Sequence, residues 1–187
     1  SFQTYEDLYS AFLKQLQFVV DQKMRVSNYI DRMFAKYAPA PFLSVVIEDC
    51  ISKGRDYYDG GPRYNTSYIQ CCGLGTVTDS LASLKKHVFE EKTFSMVRVL
   101  NAVLKNFEGE EVLRQTIMNR TPFFGNDDDY ADGIAVKVYN DLFDTIDGKP
   151  NIKKDGKYHL NMLSTTCHVY FGKVMGATPN GRLAGKS

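Results

Sequence analysis

One stretch near the end of the chain, YHLNMLSTTCHVYFGKV (residues 158–174), reads as a β-strand, and it has almost nothing to pair with. Its β-branched and aromatic residues suit a pleated, half-buried surface. A strand needs neighbours, because even a two-stranded pair is marginal in water. The one other candidate is LSVVIEDCI (residues 43–51), a short apolar run that is either a buried strand or the start of a helix; its length does not settle the choice. The β part therefore has no complete sheet to join. The chain also opens directly on a helix cap and stops in the glycine-rich GATPNGRLAGKS without a closing element. An α/β, predominantly helical slice of something larger is expected.

The helices show themselves at their N-termini. Thr4-Tyr5-Glu6-Asp7 has the form of a capping box, in which a hydroxyl and a carboxylate satisfy the first orphan backbone N–H groups. Behind it Leu8, Phe12, Leu16, Val19, Val26, Ile30 and Met33 follow helical spacing, which predicts one long helix over 5–37, ended before Pro39 and Pro41. Thr76-Val77-Thr78-Asp79 resembles a second cap, with Leu81, Leu84 and Val88 as the stripe of a helix over 77–89. Ser95 can cap a third helix carrying Met96, Leu100, Val103, Leu104 and Phe107 on one face. Glu110 and Glu111 start a fourth, with Val112, Leu113 and Ile117 inward. Asp127, Asp128 and Asp129 suit the positive end of a fifth, whose stripe is Ile134, Val138, Leu142 and Phe143. KGRDYYDGGPRYN (53–65) and DGKPNIKKDGK (147–157) are loops.

Charge excludes some functions. With 23 Lys+Arg against 22 Asp+Glu there is no basic field to hold a nucleic acid or an anionic membrane. No signal-peptide pattern and no run of about 18 apolar residues occurs, so a soluble cytoplasmic protein is expected. Cys50, Cys71, Cys72 and Cys167 lack metal-ligand spacing, and an adjacent pair is a poor basis for a disulfide framework. Reduced thiols are expected. The aspartate run lacks the alternating ligands of a calcium loop. His87, His159 and His168 lie far apart without a spaced carboxylate, which makes them surface or core-edge residues. GRLAGKS falls one residue short of a phosphate loop. Neither a metal nor a bound cofactor is expected.

Two features could still carry chemistry. Ser164, Thr165 and Thr166 interrupt the apolar strand, and a buried hydroxyl without a partner costs about 1 to 3 kcal/mol. They either bond the local backbone or line a polar, substrate-binding cavity. On a pleated strand Ser164 and Thr166 share one face and Thr165 takes the other. Cys71 and Cys72 stand at the entrance of the 77–89 helix. A catalytic thiolate needs a partly exposed, electropositive setting and a base within reach, and neither is visible beside Cys71. Buried, unreactive packing is expected for both.

GGPRYNTSYIQCCGLGTVTDSLASLKK (60–86) and STTCHVYFGKVMGATPNGRLAGK (164–186) together resemble the interior of a glycyl radical enzyme, the family of pyruvate formate-lyase and the radical dehydratases. The Asp79-Ser80-Leu81-Ala82-Ser83-Leu84-Lys85 run is similar to a helix found throughout that family. Residues 64–70 and 122–132 are most like the branch that removes water from hydroxyproline. The resemblance extends over all 187 residues and implies a fragment of a ten-stranded α/β barrel wrapped by helices. It makes residues 1–187 a central segment of the barrel domain, between the catalytic Cys-x-Glu loop and the C-terminal glycyl radical domain. The family's catalytic cysteine lies upstream of the Asp-Ser-Leu helix, so Cys71-Cys72 is not it, and no Cys-x-Glu occurs here.

In such an enzyme an activating iron-sulfur protein using S-adenosylmethionine installs the glycyl radical, and a cysteine thiyl takes hydrogen from a small-molecule substrate. A glutamate then assists departure of the hydroxyl, which implies pyrroline-5-carboxylate from hydroxyproline. The resemblance implies a homodimer when complete and an inactive segment alone, with Ser164, Thr165 and Thr166 on one wall of the substrate cavity. A glycerol or diol dehydratase, a formate C-acetyltransferase-like enzyme and an independent helical interaction module stand as alternatives.

Overall fold

A computed structural model of the chain describes residues 2–153, 155–163 and 166–186. In chain order it holds α1 (Tyr5–Tyr37), α2 (Pro41–Ser44), α3 (Glu48–Lys53), a 3-10 turn (Tyr57–Asp59), β1 (Ser67–Gln70) and α4 (Leu74–Leu84). A π-helical stretch (Lys85–Glu90), α5 (Met96–Leu104), α6 (Glu111–Arg120), α7 (Asp129–Ile146), β2 (Tyr158–Asn161) and α8 (Cys167–Val174) follow. The chain divides into two compact units, one of Ser1–Ala11, Cys71–Asp141 and Met162–Ser187, the other of Phe12–Gln70 and Leu142–Asn161.

Local signals are realised closely. Helix α1 takes its predicted bounds. Thr4 Oγ1 accepts the Asp7 N–H at 3.1 Å while the Asp7 carboxylate accepts the N–H of Thr4 at 3.0 Å and of Gln3 at 3.1 Å. Those bonds, from Thr4 first, hold the Asp7 carboxyl below its ordinary pKa. Ser95 Oγ accepts the Arg98 N–H at 3.2 Å and caps α5. The run at 43–51 resolves as helix, in α2 and α3. The second cap is displaced: α4 starts after Gly73, whose φ of +90° suits a residue without Cβ, and Thr76 and Asp79 lie inside the helix. Asp79 instead accepts the Phe124 N–H at 2.8 Å.

In the first unit Leu84, Val99, Ala102, Phe107, Leu113 and Ile117 form the core, flanked by Leu8, Phe94 and Leu183. The stripe predicted for α5 is realised in part: Phe107 is buried and Met96 and Val103 pack against the core. Val99 and Ala102 are buried, whereas Leu100 and Leu104 are exposed, as is Val112 on α6. These helices carry apolar residues on more than one face, so spacing alone does not select the packed side. The same holds along α1, where Tyr9, Val20 and Met24 are buried and Val19, Val26, Ile30 and Met33 are exposed. On α7, Ile134, Val138 and Leu142 are buried as expected, and Phe143 is exposed.

The second unit holds β1 and β2, which pair in parallel with Ser67 opposite Tyr158 and Gln70 opposite Asn161. The predicted strand over 158–174 is thus cut to four residues, and Cys167–Val174 is helical. β-propensity measures fit to a packed, paired surface, and with one short partner the pairing stops where β1 stops. Polar groups fix this unit. The hydroxyl of Tyr158, 1% exposed, donates to Asn28 Oδ1 at 2.8 Å and lies 3.2 Å from the Met24 carbonyl. Asp56 accepts from the Ala40 N–H (2.9 Å), the Ser44 hydroxyl (2.8 Å) and the Tyr58 N–H (2.9 Å). The Asn151 amide donates to the Asn65 carbonyl at 2.7 Å and to Ser67 Oγ at 2.9 Å. Gly61 lies so close to buried Cys50 that a Cβ there would stand 2.6 Å from its sulfur.

Candidate functional site

The predicted hydroxyl triplet meets the structure at one residue. Ser164 and Thr165 lie outside the described residues. Thr166 is exposed, with φ −77° and ψ 0°, and occupies the N-cap position of α8 without a side-chain cap bond. Its carbonyl accepts the Val169 N–H at 3.1 Å. Thr166 thus opens a helix, and the strand expected to carry it does not extend to this residue. Its exposed hydroxyl can bond a polar ligand group.

The cysteines depart from expectation. Cys71 and Cys72 precede the first turn of α4 in coil, so the packing that buries Leu81 and Leu84 does not reach them. Cys71 is half-buried and Cys72 exposed; Cys50 is the buried thiol. Burial, then the neighbouring Cys72, pushes the Cys71 thiol pKa up. Cys72 Sγ lies 3.3 Å from Cys167 Sγ at the start of α8, a pairing across 95 residues that no local spacing could show.

The loop after α8 is built from its own polar groups. Arg182 donates to the carbonyls of Gly176, Leu183 and Lys186 and to Thr178 Oγ1. Asn180 Oδ1 accepts from the Thr178 hydroxyl and the Arg182 N–H. The loop docks through Ser83 Oγ to the Pro179 carbonyl (3.0 Å), Arg114 to the Gly181 carbonyl (3.2 Å) and the Ala184 N–H to Asn106 Oδ1 (2.7 Å). Gly181, at φ +89°, stands where a Cβ would come within 2.7 Å of Met118. The amides that a phosphate would need are already spent: Gly181, Gly185 and Lys186 donate to the carbonyls of Thr178, Met175 and Leu183. This is a structural loop.

The other candidates resolve into local roles. Asp128 Oδ1 accepts the Tyr130 N–H at 2.9 Å at the start of α7, and among the described residues no three metal-ligating side chains converge. His159 has a carboxylate partner that spacing did not reveal: its Nδ1 lies 2.8 Å from Asp147 Oδ1. His87 is no edge residue. It is 1% exposed, with Nε2 3.0 Å from Thr121 Oγ1 and Nδ1 3.4 Å from Glu91. Burial depresses its pKa, Glu91 opposes this, and Lys86 adds to it.

A stability prediction follows. Below about pH 6.5 the unfolded chain binds a proton at residue 87 that the folded chain resists, so this residue's contribution is full above that pH and declines as pH falls towards the depressed folded value. Urea unfolding of the parent and of His87→Gln at several pH values should show a steeper acid loss in the parent. Parallel curves would reject a buried neutral His87.

No described helix is long and apolar enough to cross a membrane. Among the described residues, shallow concavities lie on the outer face of α6, around Val112 and Thr116, and, in the second unit, around Asp31, Tyr58 and Lys153. Thr166 lines neither.

The pyruvate formate lyase-like family model matches residues 1–172. Trans-4-hydroxy-L-proline dehydratase of Clostridioides difficile is 48% identical over 186 residues, covering all of this chain and 23% of the relative. Isethionate sulfite-lyase of Oleidesulfovibrio alaskensis is 34% identical over 98% of the chain and 22% of its own length. The crystal structure of the Clostridioides difficile hydroxyproline dehydratase with trans-4-hydroxy-L-proline bound superposes with a TM-score of 0.94, over 100% of this chain and 23% of that one. The glycerol-bound B12-independent glycerol dehydratase of Clostridium butyricum, 31% identical, also gives 0.94 over 100% and 23%. The chain thus spans less than a quarter of the length of these relatives.

Proposed function

The chain belongs to the pyruvate formate lyase-like family, and from this premise we propose that it is a central barrel segment of a glycyl radical dehydratase that removes water from trans-4-hydroxy-L-proline. The observation that carries this reading is the 48% identity to the hydroxyproline enzyme along the whole chain, against 34% for the sulfite-lyase. In the complete protein a cysteine thiyl takes hydrogen from the substrate, and a glutamate assists loss of the hydroxyl to leave pyrroline-5-carboxylate. Neither residue belongs to this chain, nor does the radical glycine. What this segment supplies is scaffold and one wall of the site. An S-adenosylmethionine-dependent iron-sulfur activating enzyme is the proposed partner, and a cytoplasmic homodimer the proposed setting. A glycerol or diol dehydratase is the second reading, since the Clostridium butyricum enzyme superposes equally well, with a TM-score of 0.94. Incubating the activated intact protein with hydroxyproline, glycerol and propane-1,2-diol in parallel separates them; preferential turnover of either diol would reject the first reading.

Within that reading Ser164, Thr165 and Thr166 meet the substrate. Support comes from Thr166, whose exposed hydroxyl has no capping bond to lose. Removing a hydroxyl that bonds substrate should lower kcat/KM by about 1 to 3 kcal/mol, roughly 5- to 150-fold, with the fold intact. Thr165→Val and Thr166→Val are the variants to compare in the activated intact enzyme. Parental kcat/KM in both would remove this segment from the site.

A further inference from the structure

We propose that Cys72 and Cys167 form a redox site, a dithiol that closes to a disulfide by exchange with a low-molecular-weight disulfide such as oxidised glutathione. This inference does not depend on which substrate the complete enzyme takes. The two sulfurs stand 3.3 Å apart as thiols. A disulfide bond needs about 2.05 Å, so closure requires an approach of little more than about 1 Å. Both residues sit where the backbone can give. Cys72 lies in coil before the left-handed Gly73, and Cys167 is the first residue of α8.

Chemistry divides the roles. Exposed Cys72 is the sulfur a small disulfide can reach. Cys167, half-buried at the start of α8 with its sulfur 3.3 Å from that of Cys72, is the resolving sulfur. Cys71 is the obvious rival and is poorly suited. Its thiol is held protonated by burial. Adjacent Cα atoms, about 3.8 Å apart across a trans peptide, also fall short of the roughly 4.4–6.8 Å that disulfides span.

The exchange balances. The Cys72 thiolate attacks one sulfur of the small disulfide, which breaks the S–S bond and expels one small thiolate. The Cys167 thiolate then attacks Cys72 Sγ and expels the second. Two electrons leave the protein thiols and reduce the small disulfide, and the two thiol protons end on the two released thiols. The product ties the entrance of α4 to the entrance of α8, next to Thr166.

The test uses the intact protein that carries this chain, purified anaerobically, incubated with oxidised glutathione, alkylated and mapped by fragmentation mass spectrometry. The expected result is a Cys72–Cys167 linked peptide pair, two hydrogens lighter than the thiols and restored by dithiothreitol, with Cys71 alkylated. Cys71→Ser should leave the link unchanged, and Cys167→Ser should trap glutathione on Cys72. A lasting glutathione adduct on Cys72 in the parent, a link through Cys71, or no reaction at either sulfur would each overturn the proposal.

Discussion

Given anaerobic activation and trans-4-hydroxy-L-proline, this 187-residue chain alone will release no pyrroline-5-carboxylate. In the proposed dehydratase a cysteine thiyl abstracts the substrate hydrogen and a neighbouring glutamate protonates the departing hydroxyl. None of the four cysteines stands in a Cys-x-Glu: Cys50 is followed by Ile51-Ser52, Cys71 by Cys72-Gly73, Cys72 by Gly73-Leu74 and Cys167 by His168-Val169. Residual positioning cannot substitute for a missing reaction step. Loss of the full enzymatic acceleration, about a million-fold or more, is the expected effect. Product detection by mass spectrometry against a buffer blank is the measurement. Turnover above the blank would mean that the segment reading is wrong.

The second large effect is mechanical. Leu113 is 0% exposed on α6, in the cluster of Leu84, Val99, Ala102, Phe107 and Ile117. Leu113→Ala should cost about 2 to 5 kcal/mol, from lost transfer energy plus the cavity it leaves. That is a large share of the roughly 5–15 kcal/mol that holds a domain folded. Val112, one residue earlier and 78% exposed, supplies the control, and its replacement by Ala should change stability little. Urea midpoints at constant slope would measure both in this chain. Equal costs would mean that α6 presents a different face to the core.

Sequence alone could separate neither pair of faces, and the reason is physical. Capping is decided within three or four residues, so Thr4 with Asp7 and Ser95 with Arg98 were legible before any packing was known. A helix face is decided by what lies opposite. Helices with surplus apolar residues, such as α1 with Val19, Ile30 and Met33, satisfy the spacing on more than one side. The 158–174 strand failed for a related reason, since strand length depends on a partner, and β1 offers four residues. The family was legible because two separated motifs stand in the right order. Of the three hydroxyl residues proposed to meet substrate, Thr166, which spacing places on a strand, opens a helix. The contacts of Cys72 with Cys167 and of His159 with Asp147 join residues with no periodic relation.

The π-helical stretch has a consequence for any alignment of this chain with its kin. From Lys85 to Glu90 the backbone closes wider rings, as in the Glu91 N–H to Lys86 carbonyl bond at 2.8 Å, and so fits more chain into each turn than an α-helix does. A relative that covers the same rise with regular α-helix needs one residue fewer. The gap in that pairing belongs inside 85–90, and placing it elsewhere would match His87 and every position as far as the misplaced gap to the wrong partner.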